Sequence, residues 1–370
     1  MGYLIFSCQC YYIFKFFKLL NIMKNKLYRL AGRLFAKPLN LESIAKDATV
    51  LCAQEEQDVP PAVYLPAHLQ KITGFTTNFL ERTPVERMLD THSIHAPTLL
   101  YSIGKSKLFG GGLWAQNNSF ITRSINEQDD FDVVNLNQAV VTDTDIGLVH
   151  FGHWMREVVP ASLVGTTEIP SLSLRRPHYS HAAQYAQFFK LQTIYANKGT
   201  VDNLYLLSDF SQNSYKLKRY LTLRDNLKDS LKPQDIAHKG VFIARGQSGS
   251  KRSLTNEVEV IAHLEKNGFD VIYPEKMTSE AIIRKLWNAK VVITVEGSAH
   301  NHAIYSMART GCLLTLQPPS RFGIIIKNAC DCLGIGWGFY VCAPSNDGEG
   351  FYVDSFADLD KIIGQMQGAS

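Results

Sequence analysis

The 370-residue sequence has no marked excess of charge of either sign. It contains 38 Lys and Arg residues against 34 Asp and Glu residues, a formal net charge of +4. This balance argues against a nucleic-acid partner, and no nucleic-acid motif is present. Hydrophobic residues make up 45% of the chain, enough for sizeable buried cores, and the length favours two domains or one large one.

The chain also lacks the cysteine spacing of a zinc knuckle. Among its seven cysteines, Cys8 with Cys10 and Cys330 with Cys332 form C-x-C pairs rather than C-x-x-C pairs. This odd and irregular set predicts reduced, mostly buried thiols in a reducing compartment. We predict no metal site and no bound cofactor.

No hydrophobic run reaches the roughly 20 residues that a membrane-spanning helix needs. Residues 1–14 carry no charge, but Lys15 and Lys18 then interrupt the run. The positive charge follows the apolar run, whereas a secretory signal carries it before the run. Because Met23 offers a second start, residues 1–22 are either an over-extended start or a segment that touches a membrane.

Residues 24–37 have the pattern of a cationic amphipathic helix that ends before Pro38. The apolar positions follow helical spacing, and four basic residues occupy the other side: Lys26, Arg29, Arg33 and Lys37. Such a helix is typical of an interfacial anchor on an anionic leaflet, and equally of a surface helix docked on its own domain. We therefore expect a cytoplasmic protein, with peripheral contact to the inner face of the plasma membrane as one interpretation.

The rest of the chain alternates strand and helix patterns. The predicted strands are 98–104, 131–135, 138–142, 147–150, 204–209, 241–245, 270–273, 291–295 and 312–317. The predicted helices are 152–164, 210–229, 256–268, 279–288, 299–309 and 322–332. We expect Asn256 to cap its helix and Gly268 to end it. The alternation predicts a Rossmann-like second half with a parallel sheet, so ligands belong at the carboxyl ends of its strands.

Several nucleotide and hydrolase motifs are missing. No G-x-G-x-x-G follows a strand, no Walker A sequence is present, and Ser298 does not lie in a G-x-S-x-G turn. These absences count against a standard NAD or FAD fold. A different nucleotide-dependent enzyme, such as a sugar-nucleotide epimerase, stays open as a rival class, and absorbance of a bound dinucleotide would identify it. Two D-x-D patterns, at 130–132 and 143–145, arise easily by chance, and we interpret both as turns.

One segment has the composition of an acid/base site. Glu157 follows His153 by four residues, so a helix places both on one side. A carboxylate beside an imidazole can orient the ring and take part in proton transfer. The alternative is a buried histidine without a catalytic role, whose ring hydrogen-bonds to the glutamate. His150 and His153 have no further partner that would make them metal ligands.

Two strand-to-helix loops have the composition of an anion or sugar-diphosphate site. In the first, Arg245 and Arg252 flank a Gly/Ser loop, which is either a phosphate cradle or a solvated basic loop. The second is Glu296-Gly297-Ser298-Ala299-His300-Asn301-His302. Gly297 permits a tight turn and Ser298 is a cap for the following helix, whose N-terminal amides would face a ligand. The alternative is an ordinary capped helix.

Taken in order, these segments resemble glycosyltransferase family 61, including bacterial members of the capsular polysaccharide type. The matching pieces are HFGHWMREVVP (150–160), the stretch 241–306 and WGFYV (337–341), within an overall span of about 95–345. Many members have a motif closer to G-x-H-G-A in the third position. This chain has EGS instead, which leaves the donor sugar open.

The resemblance implies a GT-B-like α/β fold with two Rossmann-like domains that face across a cleft. Residues 1–38 would precede an acceptor-side domain at 39–198, residues 199–345 would hold the nucleotide sugar, and residues 346–370 would return to the first domain. The implied reaction is inverting transfer of a sugar, from a UDP-type donor, to a glycan or lipid-linked glycan in surface polysaccharide biosynthesis.

The resemblance and the residues together assign roles. His153 or Glu157 would be the base. The expected donor and phosphate contacts are Arg245, Arg252, Glu296, Gly297, Ser298, His300, Asn301 and His302. The rival is a catalytically degenerate protein of the same fold that binds sugar or assembles a complex.

Overall fold

The computed structural model describes residues 41–76, 84–109, 112–115, 120–122, 131–246, 253–345, 348 and 350–368. The segment 1–22, the predicted amphipathic helix at 24–37, and the predicted phosphate contact Arg252 lie outside these residues. Within the described part of the chain, the main sheets have eight and five strands.

The eight-stranded sheet belongs to the first half of the chain. Its order is β6-β5-β4-β10-β7-β8-β9, and β1 pairs with β4 at the side. The strands are β1 (Asp47–Cys52), β4 (Thr98–Phe109), β5 (Gly112–Ala115), β6 (Phe120–Thr122), β7 (Val134–Val141), β8 (Ser171–Ser173), β9 (Thr193–Tyr195) and β10 (Lys198–Ser208). β10, β7, β8 and β9 run parallel, so their carboxyl ends share one edge.

The prediction of a strand at 147–150 was wrong. Residues Asp145–Val149 form a short helix, because the Thr144 side chain caps it by accepting a hydrogen bond from the Gly147 amide at 3.0 Å. The two strands predicted at 131–135 and 138–142 are the single strand β7.

The five-stranded sheet confirms the prediction of a parallel sheet in the second half. Its order is β13-β11-β14-β15-β16, and every pairing is parallel. The strands are β11 (His238–Ile243), β13 (Asp270–Ile272), β14 (Ala289–Val295), β15 (Cys312–Gln317) and β16 (Gly336–Val341). The chain order reverses direction between β11 and β14, and in open α/β sheets ligands usually bind at the carboxyl ends of two such strands.

Two smaller sheets and the remaining helices surround these layers. The small sheets comprise β2 (Glu55–Asp58) with β3 (His92–His95), and β12 (Ser253–Leu254) with β18 (Gly350–Tyr352) and β17 (Ala343–Pro344). The further α-helices are Leu41–Ile44, Pro84–Leu89, Ala182–Phe188, Ser214–Leu231, Glu257–Lys266, Ser279–Leu286, Ile325–Leu333 and Phe356–Gly368. Short 3-10 helices span Pro66–Lys71, Pro274–Lys276 and Ser298–His302. None of the described helices is long and apolar enough to cross a membrane.

A shared core joins the two halves. Tyr220 of the helix Ser214–Leu231 and Tyr305 are fully buried and stack edge-on at 5.6 Å. Their hydroxyls donate to the carbonyls of Arg156 and Met155, at 3.0 and 2.6 Å. A buried aromatic ring contributes a large apolar area, and its polar tip needs a partner, so these tyrosines both pack and tie down the segment between the sheets.

The chain ends do not follow the boundaries expected from the sequence. Val63, expected in the first domain, forms a parallel bridge with Gly338 beside β16. Lys71 forms an ion pair of 2.9 Å with Asp354. The helix Phe356–Gly368 packs its buried face, including Leu359, in the same apolar cluster as β14, β15 and β16. Residues 59–76 and 350–368 therefore both lie on the five-stranded sheet.

Asn256 supplies a test of the fold. It was predicted to cap the helix Glu257–Lys266, but its side chain makes no capping hydrogen bond. Its amide instead bonds both backbone groups of Val353, each at 3.0 Å. Asn256→Ala leaves those groups without these partners and should lower the free energy of unfolding by about 1–3 kcal/mol.

Urea unfolding measures this difference. The control is Glu265→Ala on the exposed face of the same helix, expected within about 0.5 kcal/mol of wild type. Equal stabilities of the Asn256 variant and the control would contradict the assigned role.

Candidate active site

The segment that contains His153 and Glu157 is helical, as predicted, and has an unusual turn. Phe151–His153 and Val159–Ser162 are α-helical, whereas Trp154–Val158 between them forms a π-helix. A π turn widens the helix by one residue and is common at functional sites. His150, just before the segment, is extended, so the helix begins sharply at the end of the preceding short helix.

His153 and Glu157 form the hydrogen-bonded pair that their spacing predicted. His153 Nδ1 donates to Glu157 Oε1 at 2.5 Å. Thr144 Oγ1 donates to Glu157 Oε2 at 3.1 Å, so both carboxylate oxygens have a partner. The side chains are 20% and 27% exposed, which leaves the pair accessible from one side. The carboxylate thus holds the proton on Nδ1 and leaves Nε2 as the basic nitrogen.

Glu157 is held in its ionised form. Burial alone would raise the pKa of this carboxyl, but the hydrogen bond from His153, the charge that this ring carries when protonated, the charge of Arg156 and the hydrogen bond from Thr144 outweigh it. The net result is a pKa below the usual value. A carboxylate with a lowered pKa is a weak base, so it suits an orienting role better than proton abstraction.

Arg156 anchors this helix to the second half of the chain. Its guanidinium is buried and donates from Nε to the Gly152 carbonyl at 3.1 Å and from Nη1 to the Ile325 carbonyl at 3.2 Å. Burial lowers the pKa of this arginine. With two hydrogen bonds committed to backbone carbonyls, Arg156 positions the helix that carries the acid/base pair.

The predicted donor segment 296–302 turns as expected at Gly297 but continues differently. Gly297 has φ of 149°, a conformation that favours glycine. The predicted helix at 299–309 is a five-residue 3-10 helix, Ser298–His302, followed by turns, and the expected cap by Ser298 is absent because Gly297 is the N-cap. A helix of five residues has only a small dipole, so the predicted attraction of an anion to its N-terminus is weak.

The structure brings the two predicted site segments into contact. A Cβ at Gly152 would lie 2.6 Å from Asn301 Nδ2 and 3.4 Å from Ser298 Cα and Oγ. Only glycine allows this approach, because real Cβ atoms essentially never come within 3.0 Å of a neighbour. Asn301 is fully buried and donates to the Ser298 carbonyl at 3.0 Å.

His302 lies behind this contact rather than on the surface. It shares a hydrogen bond of 2.7 Å with the Tyr185 hydroxyl, and its ring lies 4.8 Å from that of Phe151. Burial, followed by the charge of His181, lowers the pKa of His302 to about 3, so the ring is neutral. His300 is also buried. These two histidines therefore support the segment, and Ser298 is its exposed member.

Arg245 and Glu296 lie at neighbouring strand ends. Ile243 of β11 pairs with Thr294 of β14, and Arg245 and Glu296 each follow two residues later. The Arg245 amide donates to Glu257 Oε1 at 2.6 Å, which fixes the beginning of the loop. The backbones of Arg245 and Glu296 therefore lie side by side at the carboxyl edge of β11 and β14.

A cavity of about 140 Å³ opens beside the acid/base pair, where β7 and β10 end. Its lining is Val141, Thr142, Asp143, Thr144, Arg156, Glu157, Ala161, Leu207, Asp209, Phe210, Gln212, Ile325 and Asn328. Sequence reasoning singled out only Glu157 among these as a site residue. Asp143 and Thr144 belong to the second D-x-D pattern, which was interpreted as a turn.

A larger cavity of about 620 Å³ lies at the carboxyl ends of β15 and β16. Its polar wall includes Gln70, Lys71, Thr73, Ser320 and Arg321. Sequence reasoning missed these residues, although it did expect ligands near the loop after Gln317. Within the described part of the chain, no group of three or more His, Cys, Asp and Glu residues lies close enough to hold a metal ion.

The lowered pKa of Glu157 predicts a pH-dependent contribution to stability. A carboxyl whose pKa is lower in the folded than in the unfolded state stabilises the fold above the unfolded value, and this contribution is lost as the pH falls through the folded value. Glu157→Gln lacks it. The difference in unfolding free energy between wild type and variant should therefore shrink as the pH falls from about 6 to about 3.

Urea unfolding at several pH values measures this difference, and Glu168→Gln, at an exposed position, is the control. A wild-type advantage that stays constant over the range would show that the carboxyl has no lowered pKa.

Comparison with known proteins agrees with the resemblance. The family model Glycosyltransferase 61 matches residues 151–313, a span that begins at Phe151 and includes the acid/base pair and the loop 296–302. One solved structure with similarity to the chain is the bacterial iron-containing dodecameric glycosyltransferase TibC from enterotoxigenic E. coli H10407. The identity is 13% and the TM-score 0.27, over 60% of this chain and 75% of that one. No curated protein matches. The family match supports the resemblance to glycosyltransferase family 61 and confirms the prediction that the chain is a glycosyltransferase.

Proposed function

We propose that the protein transfers a sugar with inversion from a nucleoside-diphosphate donor to a hydroxyl of a glycan or lipid-linked glycan acceptor. The observation that carries the proposal is the His153–Glu157 pair, which borders a polar cavity and is packed through Gly152 against the predicted donor segment. The two halves would act in a GT-B-like arrangement, with the donor on the five-stranded sheet.

His153 would be the base and Glu157 the residue that positions it. Both oxygens of Glu157 already accept hydrogen bonds and its pKa is lowered. In the reaction, His153 Nε2 takes the proton of the acceptor hydroxyl. The acceptor oxygen forms a bond to the anomeric carbon, and the bond from that carbon to the diphosphate breaks with its electron pair on the phosphate oxygen. A single displacement of this kind inverts the anomeric centre.

The donor would lie along the carboxyl edge of the five-stranded sheet. The carboxyl edge of β11 and β14 presents Arg245, Gly297 and Ser298, and the neighbouring cavity at β15 and β16 has a volume of about 620 Å³. Ligand sites usually have about 300–1,000 Å³, so this edge has room for a nucleotide. Arg321 would face the negative diphosphate or nucleotide from this cavity. Arg252, outside the described residues, stays a predicted phosphate contact.

The biological setting follows the resemblance. We propose a role in surface polysaccharide biosynthesis, in a cytoplasmic protein whose residues 24–37 contact the inner face of the membrane. A liposome sedimentation assay with anionic vesicles, comparing the full chain with one that begins at residue 39, tests the membrane contact.

Substitution of the acid/base pair tests the mechanism. We expect His153→Ala and Glu157→Gln each to lower the turnover number by more than ~100-fold, because the first removes the base and the second its orientation. Nucleotide binding should stay unchanged, since neither group contacts the donor. The measurement is nucleoside-diphosphate release in the presence of acceptor, with the donor that the titration below selects.

His150→Gln is the matched control, since His150 is exposed and outside the pair. It should keep wild-type turnover. Near-normal turnover of both His153→Ala and Glu157→Gln would contradict the proposed mechanism.

A calorimetric titration with UDP, GDP and CMP tests the donor site, each with Mg²⁺ and with chelator. We expect UDP to bind and the binding to survive chelation, because arginine and backbone groups supply the anion contacts. Arg321→Ala should weaken binding by about tenfold, the effect of one charge-assisted contact. Arg309→Ala is the control, because Arg309 is an exposed arginine that precedes β15 whereas Arg321 follows it.

Loss of nucleotide binding in chelator would indicate that a metal ion holds the diphosphate, and the aspartates of the D-x-D patterns would then be candidate metal ligands. Absence of binding by all three nucleotides would favour a degenerate sugar-binding protein of this fold.

A further inference from the structure

Phe210 is an exposed aromatic side chain at the wall of the smaller cavity. It follows the end of β10 and is 83% exposed, more than the other large hydrophobic residues that the structure describes as exposed. Large aromatic side chains normally contribute to cores, so one that lies open at the mouth of a polar cavity is a candidate for ligand contact. Its ring lies on the same cavity as Glu157.

Two carboxylates of this cavity already accept hydrogen bonds from the protein. Asp209 accepts from Arg219 at 2.8 and 2.9 Å and lies 3.4 Å from Lys216 Nζ. Asp143 Oδ2 accepts from the Leu174 amide at 2.6 Å and from Ser173 Oγ at 3.1 Å. The lining contains three carboxylates, Asp143, Glu157 and Asp209, against one arginine, Arg156, so its charge disfavours an anionic ligand.

The groups that remain for a ligand are neutral. Gln212 lines the cavity, and its Oε1 lies 3.2 Å from the Tyr220 hydroxyl. Asn328, an exposed residue of the helix Ile325–Leu333, also lines the cavity. Amides donate to and accept from hydroxyl groups equally well, so this pair is suited to a polyol.

The volume suits part of one sugar ring. A cavity of about 140 Å³ has room for roughly five water molecules at about 30 Å³ each, so a hexose would fill it and extend outward, where Phe210 is exposed. The face of an aromatic ring is negative, so it attracts the weakly positive C–H groups on one face of a pyranose. An aromatic platform and two amides, beside the Glu157 carboxylate that orients the base, are together what a neutral sugar acceptor requires.

We propose that Phe210 is the platform on which the terminal, uncharged sugar ring of the acceptor stacks, with Gln212 and Asn328 bonding its hydroxyls. This inference rests on the proposed function, because the stacked ring presents its reacting hydroxyl to the His153–Glu157 pair. Phe210 thereby determines acceptor specificity, and the donor site on the five-stranded sheet is independent of it.

The experiment measures saturation transfer by NMR from the protein to methyl glycosides of glucose, galactose, mannose, xylose and N-acetylglucosamine, with methyl glucuronoside as a charged comparison. It is run on wild type, Phe210→Ala, Phe210→Trp and Ile236→Ala. Ile236 is the matched control, since it is 67% exposed and outside the cavity lining. We expect wild type and Ile236→Ala to bind at least one neutral glycoside through its C–H face.

Phe210→Ala should weaken that binding by roughly fivefold to tenfold, and Phe210→Trp should restore it. No contact with any neutral glycoside, an undiminished signal in Phe210→Ala, or preference for glucuronoside would each overturn the inference. An effect of Ile236→Ala equal to that of Phe210→Ala would do the same.

Nucleotide titration of the same variants separates this inference from the proposed function. We expect Phe210→Ala to bind nucleotide as wild type does, and a parallel loss would show that Phe210 supports the donor site or the fold instead. A wild type that binds glycoside at Phe210 but no nucleotide would defeat sugar transfer and leave the saccharide platform standing. A wild type that binds nucleotide but no glycoside would defeat the platform alone.

Discussion

The backbone of Gly152 lies so close to Asn301 that position 152 has no room for a side chain. This contact fixes the helix that carries His153 against the segment after β14, and the rest of the site depends on it. Arg156 adds a second attachment through its hydrogen bond to the Ile325 carbonyl. The acid/base pair therefore has a defined position relative to the five-stranded sheet, although it belongs to the first half of the chain.

The π turn explains how one short segment makes so many attachments. Met155 and Arg156 direct their carbonyls to the hydroxyls of Tyr305 and Tyr220, so backbone groups that a widened turn would leave weakly paired find buried partners. The same turn leaves Glu157 pointing toward Thr144, at the carboxyl end of β7. Tyrosine side chains from both halves thus supply the hydrogen bonds that the irregular backbone would otherwise lack. The turn therefore holds the His153–Glu157 pair in a fixed position.

Sequence reasoning could predict what local pattern determines. β15 was predicted with its observed bounds because the run 312–317 is mostly apolar and of strand length, and the structure buries it on both faces. The His153–Glu157 contact followed from helical spacing. The helix Asp145–Val149 was missed because its apolar residues resemble a strand, and the Thr144 cap decided otherwise. Asn256 likewise has the composition of a cap but bonds Val353, almost a hundred residues away in the chain.

The remaining parts of the site depend on tertiary contacts that no local pattern contains. An apolar residue directly after a strand, such as Phe210, is ordinarily expected in a core, and only the packed structure shows it exposed. The carboxylates of the cavity show the same dependence on tertiary contacts, because the sequence does not reveal whether they bind a ligand or support the fold. Asp143 lies in a D-x-D pattern and Asp209 at the end of a predicted strand, and only the structure shows that hydrogen bonds to Leu174, Ser173 and Arg219 commit both carboxylates to the fold. What distinguishes a binding group from a structural one here is whether its hydrogen-bonding capacity is already used, and in this cavity the amides and the aromatic ring are the groups left to recognise a ligand.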